Sequence, residues 1–432
     1  MTIAYHTLGC KVNQYDTEAM RELLEAAGYV TVPFSDSADI YLINTCTVTG
    51  TGDRKSLQLA RRVRREHPDS LLVLCGCLAQ KEGEALLSQA EADLVLGTAH
   101  RGRIVELLNQ VQTERKALCA VAPLTAGIPF EPLSISHVSE HTRAAVKIQE
   151  GCNNHCTYCI IPSVRGPIRS RSLQDLHAEI LRLRDAGFSE IVLTGIHLAS
   201  YGRDMPSGQL NLIDAIRTVH DVEGIQRIRL GSLEPIVATE AFCEALGAMP
   251  KVCPQFHLAL QSGSDSVLTR MGRRYRSAQY LEAAQHLRAV FPLAAFTTDV
   301  LTGFPGETET EFLETVDMIR RIKYARIHVF PFSPRAGTPA ASMQGQLSSA
   351  EKECRARKLI ALGDEVSRSY LETWLNRTAE LLPEEKIRGC WEGYTPEYIR
   401  VTLPPEVECR SGIALPVRLT GFTSKGMSAI PL

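Results

Sequence analysis

Three cysteines in the middle of the chain are spaced for metal chemistry. Cys152, Cys156 and Cys159 follow the pattern C-x3-C-x2-C within EGCNNHCTYCIIP, directly after the strand-like run AAVKIQ. Three thiolates can hold three irons of a four-iron cluster and leave the fourth iron open to an exogenous ligand. A zinc site would need a fourth Cys or His at fixed spacing, and only His155 lies in the loop. The spacing favours an iron–sulfur cluster, with zinc and incidental cysteines as the alternatives.

A second set of three cysteines is spread over the first 80 residues. Cys10, Cys46 and Cys77 each follow a predicted strand, in the segments TLGC, NTC and GC. The C-terminal ends of parallel strands share one edge of a sheet, and ligands bind there. The three thiols can therefore converge on one cluster, although small buried cysteines would show the same spacing. Cys75 competes with Cys77, but it lies inside the apolar run LLVLC and is predicted to be buried.

Composition restricts the class of protein. The 432 residues suggest about three domains. With 47 basic and 49 acidic residues, the formal net charge is -2, which excludes a globally basic nucleic-acid coat. Thirteen cysteines, an odd number, do not suit a secreted disulfide scaffold. The N-terminus has no signal-peptide pattern, and no apolar run reaches the ~18 residues of a membrane span, so a soluble cytoplasmic protein with no membrane partner is expected.

The first part of the chain alternates strand and helix signals. This order predicts an α/β domain over residues 1–118, with a parallel sheet covered by helices on both faces. Residues 119–142 contain three prolines and little periodicity, and are predicted to be a linker. The strands are predicted at 3–8, 39–45, 71–76 and 92–97, and the helices at 14–28, 53–66, 82–91 and up to 113.

The alternation resumes over residues 143–368 and changes again after them. Six strand–helix units predict a partial (β/α)6, TIM-like barrel rather than a full eight-fold one. The run 350–370 is predicted to be a helix that leaves the barrel. Short segments between Pro and Gly turns predict a small antiparallel β-barrel over residues 369–432. The barrel strands are predicted at 144–149, 190–194, 226–231, 254–260, 295–301 and 325–330.

Several motifs resemble known families. The C-x3-C-x2-C loop is the hallmark of the radical S-adenosylmethionine superfamily. The segments TLGCKVNQYDTE, INTCTVT and CGCLAQ resemble the N-terminal domain of the methylthiotransferase family within it. The segments RGPIRSRS, HLALQSGSDSVLTRMGRRYR, DVLTGFPGET and FPFSPRAGTPA resemble the central domain of that family, in the same order. KVNQYDTE and QEGCNNHCTYCIIPSVRG are most similar to the branch that modifies threonylcarbamoyladenosine in tRNA.

The resemblance implies cofactors and a reaction. It implies two [4Fe-4S] clusters, one on each cysteine triad, and S-adenosylmethionine bound at the open iron of the central cluster. Two molecules of S-adenosylmethionine are used per turnover, one as methyl donor and one as the source of a 5′-deoxyadenosyl radical. The product carries a methylthio group at C2 of N6-threonylcarbamoyladenosine next to the anticodon. The sequence identifies no certain catalytic side chain, because the bound S-adenosylmethionine supplies the radical.

The implied partners are an RNA and a source of electrons. The substrate is the anticodon loop of tRNA, whose unpaired bases can leave the stack at lower cost than those of a duplex. An electron donor such as flavodoxin and its reductase is expected. The sequence does not identify the sulfur donor.

Polar and glycine residues at the ends of the barrel strands are the predicted contacts to S-adenosylmethionine. Each position also has an ordinary explanation, namely a strand-to-helix turn, a buried hydrogen bond or core packing. His257 lies deeper in its strand and is predicted to be an ordinary core histidine. The predicted contacts are Thr194, Gly195, Gln261, Ser262, Asp299, Gly303 and Phe330.

RNA binding must rely on local patches because the net charge is close to zero. Arginines can contact phosphates and an aromatic ring can stack on a base. The C-terminal segment resembles the TRAM domain, an RNA-binding module of the OB type, although its basic and acidic residues are nearly balanced. Its aromatic candidates are Trp391, Tyr394, Tyr398 and Phe422. The RNA contacts predicted in the barrel are Arg165, Arg169, Arg171, Arg273, Arg274 and Tyr275.

Three other functions fit parts of the sequence. A methylthiotransferase could act on isopentenyladenosine in tRNA or on an aspartate of a ribosomal protein. A radical S-adenosylmethionine enzyme with an unrelated product would not need the N-terminal triad. A non-catalytic RNA-binding protein with structural metal would explain the C-terminal barrel but would produce no 5′-deoxyadenosine.

Overall fold

The N-terminal part of the chain is built on one parallel sheet. The computed structural model describes residues 1–136, 142–205 and 210–432. The strands of this sheet are β1 (Thr2–Thr7), β2 (Val30–Val32), β3 (Ile40–Thr45), β4 (Leu71–Gly76), β5 (Leu94–Leu96) and β6 (Leu118–Ala120). The helices around it are α1 (Lys11–Ala26), α2 (Gly50–Glu66), α3 (Cys77–Glu82), α4 (Ala85–Gln89) and α5 (Ile104–Glu114). The strand order is β2–β1–β3–β4–β5–β6, and all neighbours are parallel.

Burial on both faces explains why this sheet is parallel. All six residues of β3, IYLINT, are buried. One apolar core packs against one face of the sheet and includes Ile40 and Leu42, and a second core on the opposite face includes Tyr41 and Ile43. A strand covered by helices on both faces can be apolar throughout, because neither set of alternating side chains meets water. The predicted parallel-sheet domain is confirmed.

In the described residues, the central part forms an open barrel of six parallel strands with one additional two-residue strand. Its strands are β7 (Arg143–Glu150), β8 (Arg169–Ser170), β9 (Glu190–Gly195), β10 (Arg227–Leu230), β11 (Gln255–His257), β12 (Ala295–Thr302) and β13 (Arg326–Pro331). They form two sheets, β10–β9–β7–β8 and β11–β12–β13. One parallel bridge from β10 and another from the loop after it connect the first sheet to the region around β11. Among the strands that the structure describes here, only the two-residue β8 runs antiparallel to its neighbour. The predicted partial barrel is confirmed.

Helices alternate with the strands of this barrel, and the longest one follows the last strand. They are α6 (Ile161–Arg165), α7 (Leu173–Asp185), α8 (Leu212–His220), α9 (Glu240–Gly247), α10 (Asp265–Arg270), α11 (Ser277–Val290), α12 (Glu309–Ile322) and α13 (Ser349–Glu372). Ser172, Thr239, Thr308 and Ser348 each accept a hydrogen bond from a backbone N–H in the first turn of the following helix. Such caps satisfy donors that have no partner within the helix, and they fix where the helix begins.

The C-terminal part is a small closed β-barrel. Its strands are β14 (Thr378–Ile387), β15 (Cys390–Tyr394), β16 (Arg400–Thr402), β17 (Leu415–Phe422) and β18 (Met427–Pro431), in the order β14–β15–β16–β18–β17. Four of the five pairings are antiparallel, and the pairing of β16 with β18 is parallel. The prediction of a small antiparallel barrel is therefore confirmed, except that β16 and β18 pair in parallel. No helix in the described ranges is long and apolar enough to cross a membrane.

Two aromatic residues that are predicted to contact RNA also lie where the two barrels meet. Tyr394 and Tyr398 stack with their ring centroids 4.5 Å apart. Arg143 lies 5.0 Å from both rings, and Arg229 lies 4.7 Å from the ring of Tyr398. Arg227 adds an ion pair to Glu380 at 2.6 Å. The arginines of β7 and β10 thus pack on half-buried tyrosine rings, and contact of these rings with RNA remains a prediction.

Candidate metal centres

The N-terminal cysteines occupy one edge of the parallel sheet. Cys10 lies directly before α1, Cys46 directly follows β3, and Cys77 begins α3 directly after β4. A Cβ atom on Gly9 would lie 3.1 Å from the sulfur of Cys46, and Gly9 has a φ of +109°. Only glycine combines that backbone with so close an approach, so the loop that carries Cys10 lies against Cys46. The segment TLGC therefore brings two of the three thiols together.

The third thiol is placed by a glycine in the same way. Gly76 has a φ of +91°, and a Cβ atom there would lie 2.2 Å from Oδ1 of Asn44. This turn directs Cys77 toward the edge of the sheet, while Cys75 stays in β4, where its thiol donates a hydrogen bond to the carbonyl oxygen of Ile43 at 3.7 Å. This arrangement agrees with the prediction that Cys75 is buried in the strand and that Cys77 is the cysteine at the edge of the sheet.

Cys10 and Cys46 lie near enough to Cys77 to affect the pKa of its thiol. Burial raises the pKa of Cys77 to about 11, and the neighbouring Cys10 and Cys46 act in the same direction, while Arg165 opposes them. Burial also raises the pKa of Cys46, again with a contribution from Cys10. Raised pKa values at Cys46 and Cys77 are compatible with a metal site, because bound metal removes the proton of a coordinating thiol.

The central cysteines surround a cavity of about 160 Å³. Burial raises the pKa of Cys159 to about 12 and also raises that of Cys152. The backbone N–H of Asn154 donates to the sulfur of Cys152 at 3.3 Å, and Arg273 donates to the sulfur of Cys156 at 3.5 Å. Besides the three cysteines, the cavity is lined by Asn154, Tyr158, Ile161, Ile196, His197, Ser232, Leu233, Glu234, Ala259 and Arg273.

The donor sets fit clusters. In the described part of the chain, no three His, Cys, Asp or Glu side chains are close enough together to hold one metal ion. A four-iron cluster sets its thiolates further apart than a single ion does, because each thiolate binds a different iron. Each triad consists only of cysteine, which is the usual ligand of such clusters.

A buried carboxylate organises the cavity beside the central triad. Glu234 follows β10 and lies 2.8 Å from Nε2 of His197 and 3.1 Å from Nη2 of Arg273. Asn154 donates to Glu234 at 3.2 Å. Burial would raise the pKa of Glu234, but the hydrogen bond from His197 and the charge of Arg273 outweigh it, so the pKa lies below its usual value. The carboxylate is therefore ionised and ties the cysteine loop to two barrel strands.

Glu234 is not among the residues predicted from the sequence, although the sequence carries a signal for it. The segment RLGSLEP places it just past the C-terminal end of the third barrel strand, where the same reasoning located polar residues after the second, fourth and fifth strands. His197 was also missed, two residues after Gly195. Arg273 was predicted to contact RNA, but it points into the cavity.

None of the seven predicted S-adenosylmethionine contacts, all of which lie in the described residues, lines this cavity. Gly195 ends β9 one residue before Ile196, which does line it. The buried hydroxyl of Ser262 forms a hydrogen bond of 3.3 Å with the hydroxyl of Thr315. Thr194 is buried at the end of β9, and Phe330 is 46% exposed on β13. The backbone N–H of Gln261 donates to the carbonyl oxygen of Asp299, whose carboxylate lies 3.6 Å from His257. Gly303 packs against Lys352. Contact with the cofactor at these positions remains a prediction.

Most of the predicted RNA contacts in the barrel lie inside the protein. Arg165, Arg169 and Arg171 are 0–4% exposed, because each guanidinium is held by internal acceptors. Tyr275 is buried, and its hydroxyl donates to the carbonyl oxygens of Ala259 and Leu260. Buried groups cannot reach a phosphate or a base without rearrangement, so these predictions do not fit the structure. Arg274 is exposed and remains a candidate for RNA contact.

A buried network of charges joins the two cysteine-bearing parts of the chain. Asp16, on α1, pairs with Arg101 and with Lys147 of β7. Arg165, on α6, lies 3.0 Å from Asp16 and 2.6 Å from Glu150 at the end of β7. Lys147 closes the network with Glu150 at 2.9 Å. All five side chains are 0–3% exposed.

A second link joins the loop of Cys46 to the barrel. Arg335, in the segment after β13, contacts Oγ1 of Thr47 and lies 2.6 Å from Asp53. Lys81 lies 3.5 Å from the same carboxylate. The chain thus fixes the residue next to Cys46 from the barrel side.

Breaking the buried network is expected to destabilise the protein strongly. Asp16→Asn removes a carboxylate that faces three cations, so we expect a loss of about 3–5 kcal/mol in the free energy of unfolding. Urea denaturation of the metal-free chain measures it. The matched control is Asp185→Asn at an exposed pair with Arg184, where a loss below about 1 kcal/mol is expected. Equal losses in the two variants would contradict the role of the network.

The same network gives the expected pH dependence its sign. The neighbouring cations outweigh burial, so the pKa of Asp16 lies below its usual value and that of Glu150 lies well below it. Groups with lowered pKa values in the folded state stabilise it above their unfolded pKa, near 4, and this contribution is lost as the pH falls through the folded pKa values. Stability should therefore decline below about pH 4. Asp16→Asn should flatten that decline.

Comparison with known proteins assigns the chain. A family model described as "Radical SAM superfamily" matches residues 146–319, and one described as "Uncharacterized protein family UPF0004" matches residues 2–97. Threonylcarbamoyladenosine tRNA methylthiotransferase MtaB of Bacillus subtilis is 42% identical over 93% of this chain and 90% of its own length. The chain belongs to the radical S-adenosylmethionine methylthiotransferase family. Enzymes of this family use S-adenosylmethionine and [4Fe-4S] clusters, and the similarity to MtaB makes tRNA the expected substrate.

A second relative and a solved structure are also similar to this chain. The tRNA-2-methylthio-N(6)-dimethylallyladenosine synthase of Pelotomaculum thermopropionicum is 36% identical over 88% of this chain and 86% of its own length. The radical S-adenosylmethionine methyltransferase TsrM from Kitasatospora setae has a TM-score of 0.57 at 15% identity, covering 79% of this chain and 77% of its own. At that identity the likeness concerns the fold alone. Both family branches are thus similar to this chain.

Proposed function

We propose that this methylthiotransferase inserts a methylthio group at C2 of N6-threonylcarbamoyladenosine next to the anticodon of tRNA. The observation that carries the proposal is the presence of two cysteine triads in a chain similar to a threonylcarbamoyladenosine enzyme over 93% of its length. A C–H bond becomes a C–SCH3 group, which requires both a radical source and a sulfur source. Two separate triads suit these two tasks.

Each triad is proposed to hold one [4Fe-4S] cluster. Cys152, Cys156 and Cys159 hold the central one, and Cys10, Cys46 and Cys77 the auxiliary one. When bound, the central cluster with S-adenosylmethionine supplies a radical able to abstract hydrogen from C2 of the adenine. Asn154 and Arg273 position the thiolates through the hydrogen bonds described above. Nε of Arg273 is buried and has no partner among the described residues, which suits an anionic ligand group in the cavity.

The chain itself contributes exclusion of water and a fixed geometry. The cavity beside the central triad has an apolar wall that includes Ile161 and Ile196. The buried charge network holds α1, which begins directly after Cys10, against β7, which leads to Cys152. A reactive radical requires such a closed and rigid surrounding, because water and misplaced groups would consume it.

The chain is proposed to consist of three domains and to work with a separate electron donor and sulfur donor. Residues 1–118 form the auxiliary-cluster domain, residues 143–368 the radical domain and residues 369–432 a TRAM-like barrel that helps to hold tRNA. The proposed linker, residues 119–142, includes residues 137–141, which lie outside the described part of the chain. It also includes the end of β6 and the buried Leu133 and Ile135. A flavodoxin-type electron donor, a separate sulfur donor and a cytoplasmic location complete the proposal.

A comparison of tRNA substrates tests the modification. Reconstituted enzyme is expected to convert tRNA carrying threonylcarbamoyladenosine, whereas tRNA with unmodified adenosine at that position should yield no methylthio product. Nucleoside mass spectrometry measures both. Conversion of isopentenyladenosine tRNA instead would support the second candidate, which the 36% identity to a dimethylallyladenosine enzyme favours. Modification of a ribosomal-protein aspartate alone would contradict both.

A further inference from the structure

One arginine of the central barrel contacts a cysteine of the N-terminal triad. Nε of Arg165 donates to the sulfur of Cys77 at 3.2 Å. Arg165 belongs to α6, six residues after Cys159 of the central triad. The two cysteine-bearing parts therefore meet at a hydrogen bond to a proposed cluster ligand.

The other two nitrogens of this guanidinium also donate hydrogen bonds to buried side chains. Nη1 donates to Glu150 at 2.6 Å and to Asp16 at 3.0 Å, and Nη2 donates to the side-chain oxygen of Asn13. The side chain is 0% exposed, so water does not compete for its donors. Three fixed partners leave the guanidinium one orientation, and in that orientation Nε points at Cys77.

This contact distinguishes Arg165 from its neighbour in the network. Arg101 shares Asp16 and Glu150 with it, and it is buried to a similar degree. The remaining donor of Arg101, Nε, goes to Glu131 at 2.9 Å, not to sulfur. The chain thus offers two buried arginines in one network, of which only one touches a thiol among the described contacts.

We propose that Arg165 is a positioning residue that holds the Cys77 thiolate and raises the reduction potential of the auxiliary cluster. The inference rests on the proposed function, because it assumes a cluster on Cys10, Cys46 and Cys77. A hydrogen bond and a positive charge at a ligand sulfur stabilise the more negative, reduced state of a cluster. The same residue is anchored to the barrel through Glu150, so the electronics of the auxiliary site depend on its docking to the radical domain.

The experiment isolates the auxiliary cluster. The background is the full chain with Cys152, Cys156 and Cys159 replaced by alanine, reconstituted anaerobically. Arg165→Lys keeps the charge and most of the length but loses the planar N–H donor, and Arg165→Gln loses the charge as well. Arg101→Lys is the matched control. Iron content and the midpoint potential, followed by electron paramagnetic resonance during redox titration, are measured in all four proteins.

The outcomes separate the inference from its premise. We expect a more negative midpoint in both Arg165 variants, with the larger shift in Arg165→Gln, and an unchanged midpoint in Arg101→Lys. An unchanged midpoint in an Arg165 variant that binds about four irons would overturn the inference, as would an equal shift in Arg101→Lys. Absence of iron from the background protein would instead remove the proposed auxiliary cluster, and the inference with it.

Discussion

Cys152→Ala is expected to abolish both products of the reaction, the methylthio nucleoside and 5′-deoxyadenosine. The variant removes one of the three thiolates proposed to hold the central cluster, and without that cluster no electron reaches S-adenosylmethionine. The loss should be complete within detection, because the radical has no second source. Liquid chromatography with mass spectrometry of both products, after reconstitution with dithionite, checks the prediction.

A matched control shows whether the loss is specific to a cysteine of the central triad. Cys243 is a buried cysteine on α9 that no triad uses. Cys243→Ala is expected to retain both products at levels near those of the wild type. If Cys152→Ala still formed 5′-deoxyadenosine, the central triad would not be the radical site.

Cys46→Ala is expected to separate the two products. The central triad is intact in this variant, so 5′-deoxyadenosine should still form, but the methylthio nucleoside should fall below detection because the sulfur-bearing site is lost. Uncoupled S-adenosylmethionine cleavage without product is the signature. The same assay measures both compounds in one sample.

Cys75→Ala provides the control for this second variant. Cys75 is one residue from the glycine that places Cys77, yet it lies within β4 with its thiol bonded to a backbone carbonyl. We expect it to retain both products. Normal methylthio formation in Cys46→Ala would contradict the auxiliary cluster and favour a radical enzyme of another kind.

Much of the fold follows from periodicity. Long elements with clear patterns, such as α1 and β3, lie within a few residues of their predicted bounds, because burial on a regular face leaves a strong signal. The three-residue strands β2 and β6 were missed. They are edge strands of the sheet whose residues are half-buried or exposed, so the sequence carries little apolar pattern there.

The candidate site was predictable where spacing alone defines it. Glycine before Cys10 and Cys77 forces turns that place both thiols, and that information is local. The roles of Arg165 and Arg171 were not predictable, because their partners, Asp16 and Glu179, come from other elements that only the tertiary structure brings near. An arginine-rich segment looks the same in sequence whether its charges meet RNA or buried carboxylates.

The content of iron and acid-labile sulfide tests the account most directly. The anaerobically reconstituted wild type is expected to hold about eight of each per chain, and each triple cysteine-to-alanine variant about four. The single cluster that remains in one triple variant should give a different electron paramagnetic resonance spectrum, when reduced, from the cluster that remains in the other. About four irons in the wild type, unchanged when Cys10, Cys46 and Cys77 are all replaced, would contradict the claim that this chain carries two clusters.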